Sequence, residues 1–358
     1  MKIFIIIVLT AILSMLLNCQ KKTAIPEQKQ VVLSKLYTIE GYPDEADSSR
    51  VFSLIYNGTR FDEKGNVFVF DEKSGSIRIF DKSGSFLTAV SGIGLGPDEI
   101  ENLTTFYTQK DTIFVIDNRI KLKRFKLTGE LISNTRLNND VISLPFTVCV
   151  LNDTLLAVNL NTFKRTQETV EISKELALFD KNLKDKKTIY SYKTNINNIQ
   201  KSVFEEPVFT FDRSYIYQST KSKSEYKIKV FSYDGQPVKI IHQNYSKTKY
   251  TVAEMDYFRQ KYKDDPDFNL YYDYRIAVND LFTDKYGNIW VQRNSGLTGE
   301  SIEITFDILK EENIITKLKM KLHGGLDEHK ETEFFINDRF YIVDHTNNLI
   351  EVYDYKIE

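Results

Sequence analysis

The sequence predicts an all-β fold: a six-bladed β-propeller of four-stranded antiparallel blades, with one short helical insertion. Three observations carry this. Gly65 to Glu99 reads as three short apolar runs separated by two tight turns. The opening cue of that stretch recurs five more times along the chain. The copies lie roughly 40 to 75 residues apart, close to a propeller blade with insertions.

In the first copy, Val67, Val69 and Phe70 form an apolar run closed by Asp71. Ile77 and Ile79 alternate with Arg78, and Phe86 to Val90 makes a third run. Short β-branched and aromatic runs bounded by Gly, Asp and Ser are strand signals. The connections Asp71–Gly75 and Asp81–Gly84 open with Asp, which bonds nearby backbone N–H groups. They close with Gly, which accepts positive φ. Turns this short force a meander, and a lone meander needs something to stack on.

The cue returns at Asp111–Asp117, Asn152–Asn159, Asp212–Tyr217, Gly287–Val291 and Asn337–Asp344. A second alternating run and a turn follow most copies, as at Leu122–Leu127, Leu176–Asp180, Lys227–Tyr233 and Glu303–Leu309. Each meander has two apolar faces, and closing the ring buries both. The last strand spans Leu349–Ile357. An N-terminal strand, Val31–Ile39 or Val51–Tyr56, is expected to join the last blade and latch the ring.

One segment breaks the β pattern. Thr251-Val252-Ala253-Glu254 is a capping box. Val252, Met255, Phe258 and Tyr262 follow at helical spacing, and Asp265-Pro266 ends the run. An amphipathic helix over about 251–264 is expected between the fourth and fifth blades. It either packs on one face of the ring or serves as a lid or docking helix. The aromatic stretch after it, with Tyr271, Tyr272 and Tyr274, offers possible rim aromatics for sugar stacking or packs under the helix.

The N-terminus is a separate matter. Lys2 and the apolar run Ile3–Leu17 lead to Leu16-Leu17-Asn18-Cys19. This resembles a bacterial lipoprotein signal, with residues 1–18 removed and the Cys19 thiol lipidated. Residues 19–30, polar and containing Pro26, read as a flexible tether, and 31–358 as the propeller. Lipidation of Cys19 makes the membrane a partner. With no acidic run after Cys19, an outer-membrane anchor facing the periplasm is favoured over the cell surface. Cys149, in an apolar run, reads as a buried strand residue.

At Gly92-Ile93-Gly94-Leu95-Gly96-Pro97-Asp98-Glu99-Ile100 the chain resembles a family of bacterial six-bladed β-propeller lipoproteins, distantly similar to NHL-repeat propellers. Members carry G-x-G-P-G-E followed by an aromatic. This chain keeps Gly94, Gly96, Pro97 and Glu99 but has Asp98 and Ile100 at the other two places. The resemblance implies fold and address rather than chemistry. The loop reads either as a crossover between blades, with Glu99 accepting backbone N–H bonds, or as a ligand-binding loop near the channel.

The 48 basic and 50 acidic residues nearly cancel, which argues against nucleic acid as a partner. Gly92-x-Gly94-x-Gly96 lacks the spacing and the helix of a dinucleotide fingerprint. No P-loop or nucleophile elbow is present. Of the four His, His323 and His329 share a Gly-Gly loop at poor metal spacing. Asp71, Asp117, Asn159 and Asp344 either cap strand ends or aim toward a channel that could hold Ca²⁺. No catalytic residue, metal or cofactor is assigned. The sequence therefore favours a monomeric, envelope-anchored module that binds a protein or carbohydrate. The alternative is a lyase or hydrolase of carbohydrate or peptide acting at the ring axis.

Overall fold

In the turns, Asp does the work its position predicts. Asp81 Oδ1 accepts from the N–H groups of Ser83 (2.8 Å) and Ser85 (3.0 Å). Asp62, Asp180 and Asp284 make the same two bonds to the residues two and four further on. Each such turn folds a strand back on its neighbour. The computed structural model describes residues 29–41, 55–137, 144–165, 170–195, 207–261, 274–293, 296–298, 301–323 and 332–358.

Its strands form six antiparallel sheets. After β1 (Val31–Glu40), blade 1 is β2 (Ile55–Phe61), β3 (Val67–Asp71), β4 (Ser76–Phe80) and β5 (Phe86–Val90). Blade 2 is β6 (Leu103–Gln109), β7 (Thr112–Asp117), β8 (Lys121–Lys126) and β9 (Leu131–Arg136). Blade 3 is β10 (Leu144–Val150), β11 (Leu155–Arg165), β12 (Val170–Asp180) and β13 (Lys187–Asn195). Blade 4 is β14 (Pro207–Phe211), β15 (Tyr215–Thr220), β16 (Tyr226–Ser232) and β17 (Pro237–Gln243). Blade 5 is β18 (Asp280–Thr283), β19 (Asn288–Gln292), β21 (Ser301–Lys310) and β22 (Asn313–His323), with the short β20 (Gly296–Thr298) added against β21. Blade 6 is β23 (Thr332–Ile336), β24 (Phe340–Asp344) and β25 (Leu349–Ile357).

All six sequence cues fall on the second strand of a blade. The latch is β1, which pairs antiparallel with β25 from Val31↔Ile357 to Glu40↔Leu349 and completes blade 6. Residues from both ends of the chain thus share one sheet. The other candidate, Val51–Tyr56, instead overlaps the first strand of blade 1, and residues 51–54 lie outside the described residues.

Six buried apolar clusters hold the described ring, one at each interface between neighbouring blades. Phe68, Phe70 and Ile77 of blade 1 meet Phe106, Val115 and Phe125 of blade 2. Leu156 and Phe179 meet Tyr107 and Phe114 across the next interface. Leu176 and Leu178 face Ile216 and Phe231. Val230 and Ile241 face Leu281 and Val291. Trp290 and Phe306 face Phe334 and Phe340. Tyr341 and Val343 return to Val67 and Val69 and close the ring. Each buried aromatic or branched side chain contributes about 1.5–3 kcal/mol by leaving water. Trp290 also donates its Nε1–H to the buried Asp284 Oδ2 (3.0 Å).

The helix α1 spans Val252–Lys261 between blades 4 and 5, as its capping box predicts. Glu254 Oε2 accepts from Thr251 N (2.7 Å), and Thr251 Oγ1 accepts from Glu254 N (3.3 Å). The expected apolar stripe fails at its first member, because Val252 is 77% exposed. The buried first-turn residue is instead Glu254, held by Arg275 Nη2 at 2.6 Å. The cap and an ion pair, rather than an apolar face, fix the start of this helix.

The ring has two unlike faces. The crossover face carries the blade-to-blade connections and the turns between second and third strands; Ile93 N, in the first crossover, donates to Ser74 O in such a turn (3.1 Å). At Gly75, in the same turn with φ +64°, a Cβ would sit 2.7 Å from the Ile93 backbone, so only glycine permits the approach. β1 ends on the crossover face, where Gly41 N donates to Asn348 O (2.7 Å), and it begins on the opposite face beside Ile357.

Candidate functional site

The first strand of each blade lines the axis, and it is there that charge gathers. β2 is irregular: its register jumps between Ile55 and Thr59, and Gly58 takes φ +108°. The distortion sends Arg60 across to the next blade. Its Nε donates to Phe106 O (3.1 Å), Nη1 to Thr59 O (2.9 Å) and Nη2 to Thr105 Oγ1 (3.3 Å). A Cβ on Gly58 would meet Arg60 Nη1 at 2.4 Å, so the glycine makes room for the guanidinium.

Arg60 acts electrostatically on residues of other blades. Burial presses its pKa below the usual arginine value, while Glu333 of blade 6 and Cys149 of blade 3 act to raise it. For Glu333, burial pushes up, but His345 and Arg60 outweigh it and hold the carboxyl below its ordinary 4.5. His345 Nε2 lies 3.6 Å from Glu333 Oε2. Burial pushes the Cys149 thiol up to about 11; Arg60 acts to lower it and Asp280 of blade 5 to raise it.

These groups are walled in by protein yet reach solvent. Arg60 and Cys149 are half-buried, and the Glu333 side chain is 49% exposed. These partly exposed groups lie around the axis, on the first strands that line it. Asp280 and Glu333 stand at its crossover end, by their pairing with Gln292 and Val343 near the ends of the second strands. Cys149 is thus a residue of the first strand of blade 3 and half-buried, not the fully buried residue its apolar neighbours suggest.

The Gly94–Glu99 loop lies wholly among the described residues. Glu99 Oε2 accepts from Gly96 N (2.7 Å), and Glu99 N donates to Gly96 O (3.2 Å). A Cβ at Gly94 would lie 2.0 Å from Glu99 Oε2 and displace it. Asn134 Nδ2 donates to Pro97 O (3.4 Å), and Lys123 Nζ donates to Glu99 O. Lys123 in turn pairs with the buried Asp117 (2.9 Å), so the loop is bolted to blade 2. The Glu99 carboxylate thus bonds within its own loop, while Ile93 (64%) and Leu95 (81%) project into solvent.

The other sequence candidates separate. Asp71 accepts from Arg78 Nε (3.1 Å) and Ser74 Oγ (2.8 Å), and Asp344 accepts from Asn347 N (2.9 Å) and Nδ2 (2.8 Å). Asn159 Nδ2 donates to Pro207 O (3.3 Å). Asp71 and Asp344 thus serve strand ends and turns, while Asn159, in the middle of β11, ties blade 3 to the first strand of blade 4. Among the described residues no cluster of three His, Cys, Asp or Glu is placed to hold a metal. Tyr274 bridges to Lys249, with the ammonium groups of Lys247 and Lys249 5.5 and 5.8 Å from its ring centre. Cys19, Tyr271, Tyr272 and His329 lie outside the described residues, and only the backbone of His323 is described.

Sequence reasoning missed Arg60, Glu333 and His345. Nothing in local spacing joins Arg60 to Glu333; the ring brings them together from its first and last blades. The faint signal was Gly58-Thr59-Arg60, a polar interruption in an otherwise apolar run.

Six sheets radiating from a polar axis and latched by an N-terminal strand define a six-bladed β-propeller. The chain belongs to the DUF5128 six-bladed beta-propeller family, whose model matches residues 23–281. Similar solved structures include a DUF4221-family member from Bacteroides vulgatus, 13% identical, covering 93% of this chain and 99% of that one with a TM-score of 0.53. Another is a Bacteroides fragilis protein described as exported, 13% identical, covering 93% and 96% with a TM-score of 0.51. At such identity they show the fold alone. No curated protein matches the chain.

Proposed function

We propose that this propeller is a lipid-anchored envelope protein that binds a protein or carbohydrate ligand at the crossover-face mouth of its axis. The observation that supports the reading is that Arg60, Cys149, Asp280, Glu333 and His345, from four blades, act electrostatically on one another around the axis, with Arg60, Cys149 and Glu333 partly exposed. Enclosed charges in a low-dielectric funnel attract and orient a polar ligand more strongly than exposed ones.

The anchor fits this orientation. A tether running from Cys19 would reach β1 on the face opposite the crossovers, which leaves the crossover face clear of the attachment point. Cys19→Ala should move the protein to the soluble fraction; continued membrane retention contradicts the anchor. For the site, a panel of envelope glycans and peptides is titrated against the wild type, Arg60→Met and Glu333→Gln. A ligand lost by both variants supports the axis, and one bound equally by all three removes it.

A second reading is favoured by the His345–Glu333 pair, a positioned acid and base of the kind a lyase or hydrolase uses. Turnover of the bound glycan or peptide, abolished in His345→Ala, would replace binding with catalysis.

A further inference from the structure

One register position distinguishes blade 4 from blades 1, 2 and 5. On the face that a blade turns to its predecessor, a third-strand residue stands opposite the second strand. The residue two further along the second strand lies beside it. In blade 1, Arg78 stands opposite Val69, and Asp71 holds its Nε at 3.1 Å. In blade 2, Lys123 stands opposite Val115, and Asp117 holds its Nζ at 2.9 Å. Blade 5 reverses the signs: Asp307 stands opposite Val291, and Arg293 lies 2.8 Å away.

Blade 4 keeps the cation without the acid. Lys229 stands opposite Gln218, and the residue two further along is Thr220. No acid pairs with Lys229 among the described residues; its Nζ lies 5.7 Å from the ring centre of Tyr190 in blade 3. Gln218 is 1% exposed. Its Nε2 donates to Ser219 O, and its Oε1 has no hydrogen-bond partner among the described residues. A cleft of about 170 Å³ opens at this point, lined by Tyr190, Gln218, Ser219, Thr220, Lys227 and Lys229. Glu225 stands at its rim, with a side chain 61% exposed, and pairs loosely with Lys227 at 3.8 Å.

We propose that this cleft between blades 3 and 4 binds a small carboxylate bearing a hydroxyl or amine, such as a sugar acid. The carboxylate takes the place that Asp71 and Asp117 fill in blades 1 and 2 and pairs with Lys229. The neighbouring hydroxyl satisfies the Gln218 amide, and it can do so whichever amide atom faces it, because a hydroxyl both donates and accepts. A buried acceptor left without a donor carries a desolvation cost that such a ligand removes. Lys227 extends the positive field along the same strand face, two residues from Lys229. The site is separate from the axis and does not depend on the function proposed there.

The test is isothermal titration calorimetry on the full chain with D-galacturonate, L-lactate and L-aspartate, and with D-galactose as the uncharged counterpart of the first. At least one carboxylate should bind, and Lys229→Met should weaken it about tenfold or more, the scale of a charge-assisted hydrogen bond. Thr220→Asp supplies the acid from within the chain. It should abolish binding while raising the melting temperature, which shows that the variant folds. The proposal is overturned by the absence of carboxylate binding at about 10 mM, a range expected to reveal even weak sites. It is also overturned if D-galactose binds as well as galacturonate, or if binding survives in both variants.

Discussion

The interfaces between blades and the axis of the ring are built from the same strands by opposite rules. Between blades, Phe68, Phe106, Trp290, Phe306 and Phe340 are fully buried and meet across apolar clusters. Asp117 enters one such interface paired with Lys123 and Asp284 another bonded to Trp290, while Gln218 Oε1 of blade 4 is the exception, without a hydrogen-bond partner among the described residues. At the axis, Arg60, Cys149 and Glu333 keep contact with solvent, and Arg60 acts on both of the others across blades. The interfaces hold the ring closed, and the axis is the place where the proposed function puts a ligand. Substitutions should therefore separate stability from binding according to which region they touch.

The largest effect should come from Trp290→Ala, which opens a cavity where blades 5 and 6 meet and removes the Asp284 bond. A loss of about 3–5 kcal/mol is expected in urea unfolding, with ligand affinity retained in the folded fraction. Asp117→Ala should cost about 3 kcal/mol, because it leaves Lys123 charged and buried without its partner. That variant should also loosen the Gly94–Glu99 loop, which Lys123 holds through Glu99 O, and amide exchange at Gly96 reports this. Thr251→Ala removes the N-cap of α1 and should cost about 1 kcal/mol, confined to faster exchange in the first turn.

The smallest effect on stability belongs to the axis. The Glu333 carboxyl is held below its ordinary 4.5, so its contribution is present above that value and lost as pH falls through the lower folded value. Glu333→Gln should lower stability slightly near neutrality, where the carboxylate's contribution is present, and flatten the acid limb below pH 4.5, where wild type and variant converge. A variant that unfolds at neutral pH would show that the axis is structural, like the interfaces.

The same division decides what could be read from the sequence. Second strands such as Val67–Asp71 and Phe340–Asp344 are buried along their whole length, so they stand out as continuous apolar runs. The Asp-Gly turns were equally legible because their chemistry is local. The first strands were not: β2 reads IYNGTRF, with a glycine and a positive charge, because one side faces the axis rather than a neighbouring blade. Val252 misled for a related reason, since helical spacing says which residues share a face but not that the face is covered. The electrostatic influence of Arg60 on Glu333 could not be seen at all, since the two come from the first and last blades and meet only in the closed ring.

The charged, water-reaching axis is tested most directly at Cys149, the remaining thiol when Cys19 is replaced by Ala. Alkylation by iodoacetamide, which requires the thiolate, should rise with pH to a midpoint near 11 in this background. Arg60→Met should move that midpoint higher, because it removes the cation that lowers it. A thiol that titrates near 9 in both proteins, or one that stays unreactive at every pH, would contradict an enclosed, water-reaching axis at which Arg60 acts on Cys149.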